Sequence, residues 1–149
     1  MKPQIPNVLR GFVGTLLTEI LPNLGAEYSM GNAAVMCQSL SIIADEYERG
    51  AEIRFRENEE MRALFAEAGR LIDDKGLAAR LAQASAGRDA SLLISALDET
   101  NGKLKTLLIE LQAFVEESRA PWAAALDVKI WDHIVAAAER RKLTMLTLG

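Results

Sequence analysis

From Met30 to Ala51 the chain reads MGNAAVMCQSLSIIADEYERGA. Its residues Ala33, Cys37, Leu40, Ala44, Tyr47 and Ala51 recur in alternating steps of four and three. That spacing keeps one face of a helix against packed partners along its whole length. The stretch therefore predicts a long helix with the core of a bundle running down this stripe. Val35, Ile42 and Ile53 form a second stripe, nearly opposite the first when successive residues turn by about 100°. A helix apolar on two faces is expected to be covered on both.

Toward the amino terminus, Pro3 and Pro6 precede Asn7, whose side-chain oxygen suits the cap of a first helix starting near Val8. Val8/Leu9, Phe12/Val13, Leu16/Leu17 and Ile20/Leu21 give that helix a broad apolar stripe, and LPNLG ends it at Pro22 to Gly25. Its reverse face holds Asn7, Gly11, Gly14, Thr15 and Thr18, where a solvated helix carries lysine or glutamate. Close approach of another helix is expected there.

Beyond Ala51 the charged run EIRFRENEEMR interrupts the apolar register. Asn58 followed by Glu59 and Glu60 reads as a cap with first-turn acids, so a new or kinked segment is expected from there to Gly69. The pattern leaves open whether the long helix continues to Gly69 or breaks near Asn58. Met61, Leu64, Phe65 and Ala68 are the apolar stripe, and the arginines and glutamates of the run EIRFRENEEMR read as a solvated, ion-paired face. A short helix follows between Gly76 and Gly87 on Leu77, Leu81 and Ala84, in the most weakly patterned part of the chain. This part, from Arg70 to Arg88, is expected to open most easily.

Asp89 reads as the cap of another long helix, with Leu93, Leu97, Thr100, Leu104, Leu108, Leu111 and Val115 at heptad steps. Pro121 suits the first turn of a last helix. Its inward stripe is Trp122, Leu126, Ile130, His133 or Ile134, and Ala137. The tail LTMLTLG reads as a docked coil, because a lone strand has no partner in a helical chain. The fold expected is all-α: an up-and-down helical bundle of four main helices plus one or two short ones, in a single domain over residues 1–149.

Composition narrows the functional classes. Seventeen Lys and Arg against 21 Asp and Glu leave a net charge of −4, with no basic excess to neutralise phosphates, so nucleic acid is not expected as a partner. Cys37 is the single cysteine and falls on the core stripe, which predicts a buried, unreactive thiol and no disulfide. The run GFVGTLL after Lys2 and Arg10 is short, amphipathic and soon interrupted by Glu19, unlike a signal peptide. The uncharged segment Tyr28 to Ala44 contains Ser29, Asn32, Gln38, Ser39 and Ser41 and is too short and polar to span a bilayer. A cytoplasmic protein with no membrane partner is expected.

Catalytic and cofactor signatures are sparse. A di-iron site in a helical bundle needs two Glu-x-x-His turns. Here the one histidine, His133, has Ile130 three residues before it, and neither HExxH nor Cys-x-x-Cys occurs. No phosphate-cradling GxxxxGK[ST] or GxGxxG motif is present either. No metal, cofactor or catalytic residue is assigned. Asp132 and His133 point about 100° apart on a helix and make no dyad. Asp45, Glu46 and Glu48 fan around theirs as solvated surface. Trp122, Trp131 and His133 could line an apolar cavity and are kept as a candidate pocket.

The ending LLTEILPNL of the first helix and the segment GNAAVMCQSLSIIADEYERG resemble a group of small, uncharacterised, all-helical bacterial proteins. The resemblance covers roughly residues 8–50. Members are encoded beside aminoglycoside-phosphotransferase-like and acyl-CoA-dehydrogenase-like enzymes, which implies an accessory role in acyl-CoA metabolism and transfers no site residue.

The functional expectation is a non-enzymatic interaction module, self-associating as a homodimer or docking on an enzyme partner. Gly11, Gly14, Thr18, Val35, Ile42 and Ile53 are the candidate interface. The reading from a different class is a protein, or a minor enzyme, that takes an apolar or acyl ligand in a cavity near Trp122 and Trp131.

Overall fold

The structure, a computed structural model, describes residues 4–25 and 27–142. Over these residues it is helical and contains no strand. In chain order the helices are α1 (Ile5–Thr15), α2 (Glu27–Leu71), α3 (Lys75–Ser85), α4 (Ile94–Glu117) and α5 (Ala123–Arg140). The chain divides into two compact units, residues 1–50 with 143–149 and residues 51–142. The tail LTMLTLG, expected to be a docked coil, lies outside the described residues.

In the first unit, α1 begins one turn earlier than the sequence suggests. Gln4 occupies its cap position and Pro6 stands in the first turn, where a missing N–H leaves no hydrogen bond unmade. Asn7 is thus inside the helix. After Thr15 the helix widens into a π turn over Leu16–Ile20 and tightens into a 3-10 turn over Leu21–Asn23. The Thr18 hydroxyl donates to the Gly14 carbonyl at 3.0 Å and the Asn23 amide to the Glu19 carbonyl at 2.6 Å, and the regular structure ends after Asn23, within the LPNLG stretch expected to end it. On the α2 stripe, Ala33, Cys37 and Ala44 are buried, Leu40 is half-buried and Tyr47 is exposed. Cys37 is free and buried, as its place in the pattern predicts.

In the second unit one apolar cluster joins four helical segments. Met61, Phe65 and Ala68 of α2 meet Leu81 of α3, Leu104, Leu108, Leu111 and Val115 of α4, and Leu126 and Ile130 of α5. Leu97, Leu104, Leu108, Leu111 and Val115 are buried as the spacing predicts, whereas Leu93, expected with them, is exposed at the cap position and Asn101 is buried in the stripe. α3 also contributes more than its weak pattern suggests: Leu77 and Leu81 are both buried in this cluster. The Asp74 carboxylate accepts the Leu77 N–H at 2.7 Å and caps the helix. The segment is therefore a packed element rather than a loose one.

Two helix boundaries differ from the sequence reading for one reason. α2 passes through Asn58 without a break to Leu71, and α4 starts at Ile94 with Leu93 at its cap position rather than Asp89. Asn58 and Asp89 look like caps because short polar side chains commonly bond nearby backbone N–H groups. Here the two side chains bond each other at 3.0 Å, so a tertiary contact has replaced both local ones.

The burial pattern sets an order of core sensitivities. Leu81→Ala removes a fully buried side chain and should cost about 2–5 kcal/mol in a denaturant titration. Leu40→Ala, at a half-buried position, should cost clearly less. The reverse order would show that residues 51–142 do not hold the main core.

Candidate functional site

The most unusual chemistry of the second unit lies in the middle of α2, where Glu57 and Asn58 are fully buried and Arg62 nearly so. Glu57 faces cations from both α4 and the end of α5. Arg141 Nε and Nη2 donate to its two oxygens at 2.6 and 2.7 Å, and Lys105 Nζ lies 3.6 Å from Oε2. A two-pronged guanidinium contact of this kind is among the stronger polar interactions available to a carboxylate. Asn101, buried on α4, donates to Glu57 Oε2 at 3.1 Å and to Asn58 Oδ1 at 2.9 Å.

Asn58 carries the network on. Its amide nitrogen donates to Asp89 Oδ1 at 3.0 Å and to the Leu97 carbonyl at 3.4 Å. Asp89 in turn accepts both terminal nitrogens of Arg62, at 2.9 and 3.0 Å, and Arg62 also reaches Glu59 at 2.7 Å. The run read from sequence as a solvated, ion-paired face is therefore divided. Glu57, Asn58 and Arg62 point inward, while Glu52 and Arg56 pair on the outside.

The electrostatics follow from this geometry. Burial by itself would raise the Glu57 carboxyl, but the Arg141 hydrogen bonds and charge, with Lys105 and Asn101, hold it below the usual carboxylate range. The Asp89 carboxyl is lowered chiefly by its hydrogen bonds from Arg62, against a smaller opposing effect of burial. His133 on α5 is shifted down from 6.5, first by burial and then against the pull of Glu60 and Glu57. Its side chain is 8% exposed, with Nδ1 3.4 Å from Glu60 Oε2, and Arg140 holds the other Glu60 oxygen at 2.6 Å.

His133 also stands between two open clefts. One, of about 310 Å³, is lined by Glu60, Leu64, Glu67 and Lys129 among others, with Glu67 and Lys129 paired across it. The other, of about 320 Å³, lies between α4 and α5. The tryptophans grouped with His133 by sequence lie apart from these walls. Trp122 stacks on Phe114 with ring centroids 6.3 Å apart and planes 11° from parallel, and Trp131 is exposed. Of the candidate pocket residues, His133 lines both of these clefts and the tryptophans line neither. Among the described residues no group of three His, Cys, Asp or Glu side chains has metal-binding geometry, and no helix is long and apolar enough to cross a membrane.

The candidate interface residues also separate. Gly11 and Gly14 face open space, and Thr18, Val35 and Ile42 are exposed, whereas Ile53 is buried in the second unit. Sequence reasoning missed the roles of Glu57, Asn101 and Arg141. The only local signal was polar residues where a continued apolar stripe would run. No protein family, characterised protein or solved structure matches the chain.

Two measurements check the network. Arg62→Met leaves the Asp89 carboxylate, whose side chain is 2% exposed, without its cation, and should cost about 3–5 kcal/mol. The double variant with Asp89→Ala should cost less than the two single variants added together, because the stranded charge is gone; a double variant equal to that sum would mean the pair carries no coupling. For His133, the folded form binds its proton less readily than the unfolded form. Stability is therefore full above about pH 6.5 and falls as acidity rises through the lower folded value. The thermal midpoint should drop between about pH 7.5 and 5.5 in the native protein and drop less in His133→Gln. An unchanged slope in the variant would place the titrating group elsewhere.

Proposed function

We propose that the protein is a non-enzymatic interaction module that pairs with a second copy of itself through α1 and the amino-terminal part of α2. The observation that carries this reading is the exposure of large apolar side chains on a nearly uncharged stretch, residues 4–44. Val35 is 62% and Ile42 38% exposed, with Met36 and Ile43 exposed beside them. Val35/Met36 and Ile42/Ile43 stand one heptad apart, so they share a helix face. On α1 Phe12 is 55% exposed, and Ile20 in the π turn after it is exposed as well.

The charge of this region favours a copy of the same chain over other occupants. Between residues 4 and 44 the charged side chains are Arg10, Glu19 and Glu27, so two such faces meet with little repulsion in a two-fold arrangement. An anionic lipid surface would call for a lysine- and arginine-rich flank, and Arg10 is the one cation there. Burying each aliphatic side chain contributes about 1.5–3 kcal/mol, while Gly11 and Gly14, with nothing near them, permit close helix approach. On this reading residues 51–142 form an up-and-down arrangement that carries the pairing helices, and the free Cys37 suits the reducing cytoplasm.

Sedimentation velocity over a range of concentrations tests the proposal. The native chain should sediment as a dimer at micromolar concentration. Val35→Glu with Ile42→Glu should sediment as a monomer of unchanged helical content, because both side chains are already exposed. A native protein that stays monomeric at high micromolar concentration overturns the reading.

A further inference from the structure

The cleft of about 320 Å³ between α4 and α5 has an apolar wall of Leu108, Ile109, Ile134 and Ala138 and a polar rim that includes Lys105 and Arg141. Both cations reach the same oxygen of Glu57, Oε2, at 3.6 and 2.7 Å. Glu57 is fully buried and is not part of the lining, and none of the residues lining the cleft is acidic. Arg141 already closes on that carboxylate with two hydrogen bonds, and the more distant Lys105 presents positive charge at the rim to a ligand. Lys105 is 43% exposed, and its ammonium has three donors to distribute.

An apolar wall ending in cations is complementary to a molecule with a hydrocarbon body and a negative head. A cationic amphiphile would be repelled by Lys105 and Arg141, and a neutral one would forgo the charge-assisted hydrogen bond. The volume is at the small end of the range for ligand sites, about 300–1,000 Å³. We infer that this cleft binds a small amphipathic carboxylate, its head at Lys105 and its chain along Leu108, Ile109 and Ile134. The site belongs to residues 51–142 and uses none of the proposed pairing surface, so it stands whether or not the protein dimerises.

The test is an amide-resolved NMR titration of the full chain with octanoate and, separately, with 1-octanol. Octanoate should shift resonances within residues 105–112 and 134–141 and bind about tenfold or more tightly than the alcohol, the ratio expected for one charge-assisted contact. Lys105→Gln should weaken octanoate by a similar factor without changing octanol, and Lys105→Arg should restore it. A melting scan of each variant shows whether the fold is kept. Lys105 is chosen over Arg141 because removing Arg141 would strand the buried Glu57 carboxylate. Absence of shifts at millimolar octanoate, equal affinity for acid and alcohol, or undiminished octanoate binding by folded Lys105→Gln would each overturn the assignment.

Discussion

A carboxylate and an amide buried side by side in the middle of a helix impose the strictest constraint on residues 51–142. Glu57 and Asn58 have no contact with water, and a charged group taken out of water without partners costs several kcal/mol. Their partners come from Asn101 and Lys105 on α4, Asp89 in the loop before it, and Arg141 just after α5. Leucine stripes by themselves allow helices to slide by a turn with little change in buried area. The polar network does not, because a shift of one turn would separate Asn101 from Glu57 and Asn58 together. We read the network as what fixes the register of α4 and α5 on α2, a role buried polar groups are known to take.

The apolar core and this network divide the work. Phe65, Met61, Leu81, Leu111 and Ile130 have essentially no exposed surface, and their burial supplies the main driving force for folding. Outer ion pairs such as Arg56 with Glu52 and Lys103 with Glu99 join side chains that are mostly solvated, so they contribute little. Arg62 with Asp89 is different in kind, because both side chains are nearly enclosed.

The first unit has another character. Its buried residues include the small side chains of Ala33, Cys37 and Ala44, while Phe12, Val35, Met36 and Ile43 are turned outward. Hydrophobic burial has been completed around Phe65 but not around Val35. A helix whose exposed face is apolar and almost free of charge gains by being covered, which is the ground for the proposed pairing. The cleft between α4 and α5 belongs instead to the well-filled part, where fixed walls favour a small ligand.

The sequence by itself determined the helical class, the inward leucines of α4 from Leu97 on, the burial of Cys37 and the end of the first helical run within LPNLG. Each depends on periodicity or backbone chemistry within a few residues, and such signals are local. Only the tertiary structure decided that Asn58 and Asp89 are not caps, that Ile53 is buried while Val35 and Ile42 are exposed, and that His133 lines two clefts whose walls include neither Trp122 nor Trp131. It also brought Glu57 to Asn101 and Arg141, which are far from it along the chain. A polar residue satisfied by its own turn and one satisfied by a distant helix look alike in sequence, because the residue types are the same. What distinguishes them is which groups are excluded from water together, and that is fixed only when the helices pack.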